Sequence, residues 1–79
     1  MKNEHKVYCL IVKAVENGKL KEPFNTKDFR KACPGLGEGT YKAFLYKHRL
    51  GNPDKNTELF KRVSTGIFKL IRPLIYNCD

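Results

Sequence analysis

The side chains best suited to chemistry in this chain are its cysteines and histidines. His5 and Cys9 stand four residues apart, a spacing that places two side chains on one side of a helix and could hold two metal ligands. Two ligands alone do not make a metal site. Cys33 and His48 fall on helical stripes that we expect to be buried, so we interpret both as core residues rather than as zinc ligands or a Cys-His nucleophile.

The sequence shows no catalytic motif. The glycine-containing segment 34–39 lacks the Lys-Ser/Thr ending of a phosphate-binding loop, and neither a paired-carboxylate motif nor a nucleophile elbow is present. A chain of 79 residues has room for one small core but not for a large catalytic pocket walled by independent layers. We therefore predict a single domain over residues 1–79 that is not an enzyme and holds no metal or cofactor.

The charge of the chain is strongly positive and unevenly distributed. Sixteen Lys and Arg face eight Asp and Glu, a net charge of +8. Residues 26–50 alone carry six cations and two acids, so half of the excess (6 − 2 = +4) lies in the middle third. Such a surface attracts polyanions, which favours nucleic acid or an anionic membrane surface as the partner.

The cysteine pattern indicates whether the protein resides in a reducing or an oxidising cellular compartment. Three cysteines are an odd set without a Cys-x-x-Cys pair, and the chain begins without a charged-then-apolar signal sequence. Both observations favour a reducing cytoplasm over a secreted disulfide scaffold. No apolar run approaches the roughly 20 residues of a membrane span, so we expect no membrane association of that kind.

The apolar spacing predicts three helices. Helix 1 covers about residues 4–17, with a buried stripe of Val7, Leu10, Ile11 and Ala14. Helix 2 covers about 26–33, is capped by Asn25 or Thr26, and stops at Pro34-Gly35. Helix 3 covers about 38–50 and ends at Gly51; its buried stripe comprises Tyr41, Phe44, Leu45 and His48.

A β-hairpin follows over about residues 59–71. Its two strand-length runs are separated by Ser64-Thr65-Gly66, which is turn chemistry. Phe68 and Leu70 share one face of the second strand, whereas Phe60 and Val63 are three apart, so we predict a bulge in the first strand. Phe24 is predicted to form a very short strand between helices 1 and 2. The apolar tail, residues 72–79, is expected to pack across helix 1.

This order of elements resembles the winged helix-turn-helix family over most of the chain. Two segments carry the resemblance: Thr26-x-x-Phe29-x-x-Ala32 before a glycine-containing turn, and residues 59–70, in which a Phe-containing strand turns at glycine and returns as Gly-x-aromatic-x-Leu. The resemblance implies an α+β winged helix, a three-helix core followed by a two-stranded wing. It also implies a helix 3 that lies in the DNA major groove and a wing that contacts the flanking backbone or the minor groove.

These expectations identify the candidate DNA contacts. Cations on helix 3 suit phosphates or guanine edges, whereas its smaller or aromatic side chains suit a thymine methyl or a sugar. On the wing, only the arginine can make a bidentate contact. The candidate residues are Lys27 and Arg30 on helix 2; Thr40, Lys42, Ala43, Tyr46 and Lys47 on helix 3; and Lys61, Arg62, Ser64, Thr65 and Lys69 on the wing.

Other functions stay open at this point. The chain is predicted to bind duplex DNA in a transcription-related role, but a winged helix can also serve as a protein-docking module with only non-specific nucleic-acid affinity. In that case Leu74, Ile75 and Tyr76 would contact a protein partner or a second copy. Tyr46 could contact DNA or pack against the wing. A further hypothesis is single-strand binding by Tyr46, Phe60 and Phe68 as a stacking set.

Overall fold

The computed structural model describes residues 3–78, and in this part of the chain three helices precede a two-stranded antiparallel hairpin. The elements are α1 (Asn3–Glu16), α2 (Thr26–Ala32), α3 (Glu38–Lys47), β1 (Phe60–Ser64) and β2 (Ile67–Leu70). This is the α+β arrangement of a winged helix, and it confirms the predicted fold class. The hairpin of β1 and β2 is called the wing below.

Phe60 of β1 lies at the centre of the core. Its ring is fully buried, 6.2 Å from the ring of Phe24, 5.9 Å from that of Phe44 and 6.4 Å from that of Tyr8. Phe68 of β2 is also fully buried. Two of the three aromatic rings proposed to stack on single-stranded bases are therefore buried in the core. This burial argues against single-strand binding by that set.

The buried face of α1 differs from the predicted stripe at one position. Leu10 is exposed, whereas Tyr8 and Val12 are buried together with the predicted Val7, Ile11 and Ala14. The core face is turned toward Tyr8 because the C-terminal tail covers that side of the helix. The backbone N–H of Ile75 donates to the Tyr8 hydroxyl at 3.3 Å, and the ring of Tyr76 meets that of Tyr8 edge-on at 5.5 Å.

The start of α2 follows directly from its local sequence. The Asn25 side chain accepts a hydrogen bond from the backbone N–H of Asp28, and the Asp28 carboxylate accepts one from the backbone N–H of Asn25. This reciprocal capping satisfies two N–H groups that a helix terminus otherwise leaves without partners. Phe29 is the buried residue of this short helix, which ends at Ala32, one residue before the predicted end.

Helix α3 ends at Lys47 rather than at residue 50, so the predicted end was wrong. The carbonyl of His48 accepts hydrogen bonds from the N–H groups of Leu59 and Phe60, and the N–H of Leu50 donates to the carbonyl of Phe60 at 2.7 Å. These bonds turn the chain toward β1. Gly51 does adopt a positive φ of 78°, but in the turn that follows and not as the helix cap.

The wing has the irregularity that the sequence predicts. The pairing of β1 with β2 is regular up to Arg62, and the register shifts between Arg62 and Ser64, which leaves Val63 as the extra residue. Gly66 adopts a φ of 73° in the turn, a conformation that other residues rarely adopt. Phe24 also forms the predicted short bridge, since it exchanges two backbone hydrogen bonds with Phe68 at 2.8 and 2.7 Å.

The tail packs across α1, as predicted. The Tyr76 hydroxyl donates to the Glu4 carboxylate, and its ring lies edge-on to that of His5, with 4.9 Å between centroids. Leu74 and Ile75 nevertheless remain exposed, because the contacts with α1 are made mainly by the residues after them. Asp79, the last residue of the predicted tail, lies outside the described residues.

Cys9 and Cys78 form a disulfide that fastens the tail to α1, with 5.4 Å between the two Cα atoms. The odd cysteine count did not predict this pairing, and the disulfide removes the support that the count gave to a reducing cytoplasm. Cys33 is the remaining thiol and is buried, as expected for a core residue, and burial raises the pKa of its thiol. Among residues 3–78, no helix is long and apolar enough to cross a membrane.

An ion pair ties the loop before α2 to the end of the wing. The Arg72 guanidinium donates to both Glu22 carboxylate oxygens, at 2.6 and 3.0 Å, and the N–H of Leu70 donates to the same carboxylate at 2.8 Å. The hydrogen bonds from Arg72 lower the pKa of Glu22 below its usual value of 4.5, although partial burial opposes them. The folded state therefore favours the ionised form of this carboxyl more than the unfolded state does.

This pair makes stability depend on acidity in a defined direction. The pKa of Glu22 is lower in the folded state than in the unfolded state. The contribution of Glu22 to the free energy of unfolding is therefore complete above the unfolded pKa, and it is lost as the pH falls through the folded pKa. Glu22→Gln should therefore be less stable than the wild type at pH 7 and lose less stability between about pH 5 and pH 3. Urea unfolding across this range measures the difference. Arg72→Met should also reduce the stability that is lost on acidification. If both variants lost as much stability between these pH values as the wild type, the Glu22–Arg72 pair would not be its cause.

Candidate nucleic-acid interface

The two faces of α3 separate as the sequence predicts. Tyr41, Phe44, Leu45 and His48 are buried against the core. The opposite side of the helix carries Thr40, which is half-buried, and the exposed residues Lys42, Ala43, Tyr46 and Lys47. The structure thus brings all five candidate residues of this helix to its solvent side.

Tyr41 positions the beginning of α3 against α2. Its hydroxyl donates to the carbonyl of Cys33 at the end of α2 and accepts from the N–H of Leu36 at 3.0 Å. Its ring also packs edge-on against Phe29, with centroids 5.3 Å apart. This buried tyrosine therefore fastens the first turn of α3 to the end of α2 and to the turn between them.

His48 holds the other end of α3. Its side chain is almost fully buried, and its Nδ1 donates to the carbonyl of Thr57 at 2.9 Å. Its Nε2 lies 3.7 Å from a carboxylate oxygen of Glu4 in α1. This histidine joins the end of α3 to the chain before β1, which agrees with its interpretation as a core residue.

Tyr46 connects α3 to the wing. Its ring lies edge-on to the buried ring of Phe68, with 5.1 Å between centroids, and its hydroxyl approaches Gly66 at the turn of the wing. Of the two roles open from the sequence, packing against the wing is the one the structure shows. Because 39% of the residue stays exposed, the outer part of its surface still belongs to the candidate interface.

The wing carries its cations on both faces. Lys61 and Lys69 are directly opposite each other in the pairing of β1 with β2, and both are exposed. Arg62 is opposite Phe68, on the face that Tyr46 contacts. Ser64 and Thr65 are exposed at the turn. Like charges directly opposite each other in a hairpin repel, and an anion between them removes that repulsion.

The two candidates on α2 differ from each other. Lys27 is exposed in the first turn. Arg30 instead makes a bidentate ion pair with Glu38 at the start of α3, and its guanidinium lies 4.9 Å from the centre of the Tyr41 ring. The hydrogen bond from Arg30 lowers the pKa of Glu38. Arg30 is thus paired within the chain while its side chain stays largely exposed, and its role as a DNA contact stays a prediction.

Arg49 is a further candidate for the interface that was not predicted from the sequence. Its guanidinium donates to the carbonyl of Tyr46 at 2.7 Å, and its own carbonyl accepts from the buried Asn52 side chain at 2.9 Å. An open groove beside α3 is lined by Lys42, Tyr46, Lys47, Arg49, Pro53 and Asp54. The charge of Arg49 and its position near helix 3 pointed to it. Because helix 3 was predicted to extend to residue 50, Arg49 was assigned to the helix rather than to the loop that follows it.

Comparisons with known proteins found no match from which a function could be inferred. No family model, no curated protein and no solved structure matches this chain. The arrangement of α3, the groove beside it and the wing is therefore the basis for a functional proposal. With the disulfide closed, residues 3–78 contain no group of three or more His, Cys, Asp or Glu side chains that could hold a metal ion.

Proposed function

We propose that this protein binds duplex DNA, with α3 in the major groove and the wing on the flanking phosphate backbone, in a transcription-related role. The observation that carries the proposal is the edge-on contact of the Tyr46 ring with Phe68. It sets the cationic face of α3 beside the face of the wing that carries Arg62, the residue opposite Phe68. A surface of this kind matches a duplex, whose phosphates flank the groove that a helix enters.

The charges on this surface suit the two roles. Lys42 and Lys47 extend from α3, and Arg49 adds a planar guanidinium beside them, which can form a bidentate contact with a phosphate or with guanine. Arg62 supplies a cation on the face of the wing that Tyr46 contacts, and Lys61 and Lys69 supply two adjacent cations on its other face. Thr40 and Ala43 are the small side chains that would allow the helix backbone to approach base edges.

Salt dependence tests the proposal directly. With about five phosphate contacts, the logarithm of the affinity should fall with the logarithm of the salt concentration at a slope of about −4 to −5. Fluorescence anisotropy with a labelled random-sequence duplex, titrated from low salt upward, measures this slope. Absence of binding at low salt would overturn the proposal. Because one helix reads only a few base pairs, specificity would then be sought by selection from random duplexes.

A second candidate function is docking to a protein partner or to a second copy of the chain. The exposure of Leu74 and Ile75 favours it, since the tail is fastened to α1 while these two apolar side chains face solvent. This function predicts a defined oligomer or complex together with weak DNA binding that lacks sequence preference. Sedimentation velocity at micromolar concentration, with and without duplex, separates the two functions.

A further inference from the structure

Three groups that bind soft metals meet where the tail crosses α1. The Nε2 atom of His5 lies 3.8 Å from Sγ of Cys9, one helical turn along α1. Cys78 reaches the same place from the tail and is bonded to Cys9. The His5/Cys9 spacing alone supplies two ligands, and the fold adds the third from a residue 69 positions away in the sequence.

We propose that, when the disulfide is reduced, His5, Cys9 and Cys78 form a zinc site. Imidazole and thiolate are the ligands that zinc prefers, at about 2.0–2.1 Å for nitrogen and 2.3 Å for sulfur. Tetrahedral geometry at those bond lengths separates a nitrogen ligand from a sulfur ligand by about 3.6 Å. The observed 3.8 Å between His5 and Cys9 is close to that value. Helical residues four apart are also a recurring zinc-ligand pair.

The third ligand also fits. Two sulfurs on one tetrahedral zinc lie about 3.8 Å apart, so Cys78 must move away from Cys9 when the ion enters. Cys78 lies in the tail, outside any helix or strand, and is one residue from the end of the chain. No helix or strand therefore fixes its backbone, although its side chain packs against the core. All three side chains are half-buried, which leaves room for a water molecule as the fourth ligand.

The disulfide and the zinc site exclude each other. A dithiol reductant transfers two electrons and two protons to the Cys9–Cys78 bond, which gives two thiols, and the reductant itself becomes a disulfide. Zinc binding then releases one proton from each thiol, and the two thiolates and the neutral His5 imidazole coordinate the ion. Either linkage holds the tail on α1, so the zinc site would keep the tail fastened where the disulfide cannot persist.

The neighbours of His5 orient it for this role. The ring of Tyr76 packs edge-on against the imidazole, with 4.9 Å between centroids, and the Tyr76 hydroxyl is anchored by Glu4. Tyr76 belongs to the same tail as Cys78. The ring therefore positions the histidine and the tail together on one side of α1. None of this depends on DNA binding, so the two proposals succeed or fail separately.

The test is metal binding by the reduced protein. Protein that has been reduced, freed of metal with a chelator and kept without oxygen is titrated with zinc in competition with a chromogenic chelator. We expect one zinc per chain. His5→Ala and Cys78→Ser should each weaken binding by more than about a hundredfold, because losing even an outer-shell partner of a ligand costs 10- to 100-fold. Titration with cobalt should give the charge-transfer band of thiolate coordination and the intense visible bands of a tetrahedral site.

Cys33→Ala is the matched control, since it removes the one cysteine that lies outside the cluster. It should bind zinc with the affinity of the wild type. Three results would overturn the proposal: no zinc binding by the reduced wild-type protein, equal affinity in the His5→Ala variant, or a stoichiometry of one zinc for two chains. Circular dichroism of each variant establishes that the helices are intact, so loss of binding is not mistaken for loss of fold.

Discussion

Affinity for duplex DNA should fall by at least about a hundredfold when Lys42 and Lys47 are both replaced by glutamate. Both side chains are exposed on the solvent side of α3 and beside the groove that Arg49 helps to line. Each substitution removes an attraction to phosphate and adds a repulsion. The slope of affinity against salt should become shallower by about 2, one unit for each lost contact. Anisotropy titrations at several salt concentrations measure both quantities.

The matched control is Lys6→Glu with Lys13→Glu, which changes the net charge by the same amount. These two lysines are exposed on α1, a helix that carries none of the candidate DNA contacts. If the net charge alone attracted DNA, both double variants would lose affinity equally, and that outcome would contradict an interface on α3. Thermal unfolding of both variants should remain close to that of the wild type, because none of the four side chains contributes to the core.

Loss of the Cys9–Cys78 disulfide should have the largest effect on stability. The bond closes a loop with a sequence separation of 69 residues, so it restricts nearly the whole unfolded chain. The chain-entropy relation gives a stabilisation of about 4 kcal/mol for a loop of this size. For a domain of this length that corresponds to a fall in Tm of roughly 20 °C. Thermal unfolding of the oxidised wild type and of Cys9→Ala with Cys78→Ala, both with chelator present, measures it.

Reductant is the internal control for this experiment. In its presence the wild type should unfold at nearly the temperature of the double variant, because both then lack the cross-link. The difference in stability between Cys33→Ala and the wild type should be the same with and without reductant. Cys33 is a buried free thiol and takes no part in the bond. Identical unfolding of the wild type in oxidising and reducing conditions would show that the bond does not form or does not stabilise the fold.

The elements with short-range signals were predicted well from the sequence. Asn25 and Asp28 cap α2 across three residues, and Gly66 sits in the turn of the wing. The apolar spacing of α3 assigned its buried and exposed faces correctly. In each case the interacting groups lie within about one turn of helix or one hairpin turn. The local chain therefore contains the physical cause of the structure.

The predictions that failed involve partners far away in the sequence. Leu10 is exposed because the tail covers the other side of α1. Helix α3 stops early because Leu59 and the first residue of β1, Phe60, take the hydrogen bonds of His48 and Leu50. Periodicity along one helix carries no information about which distant segment will pack against it.

Residue types and their spacing alone determined that this is a basic, three-helix chain with a glycine-turned hairpin and a cationic face on α3. Only the tertiary structure decided that Tyr46 joins that face to the wing, that Arg49 lies beside it, and that Cys78 meets Cys9 and His5. The physical reason is the range of the forces involved. Helix capping and turn formation act between neighbours, whereas these contacts exist only once packing of the core has brought distant residues together.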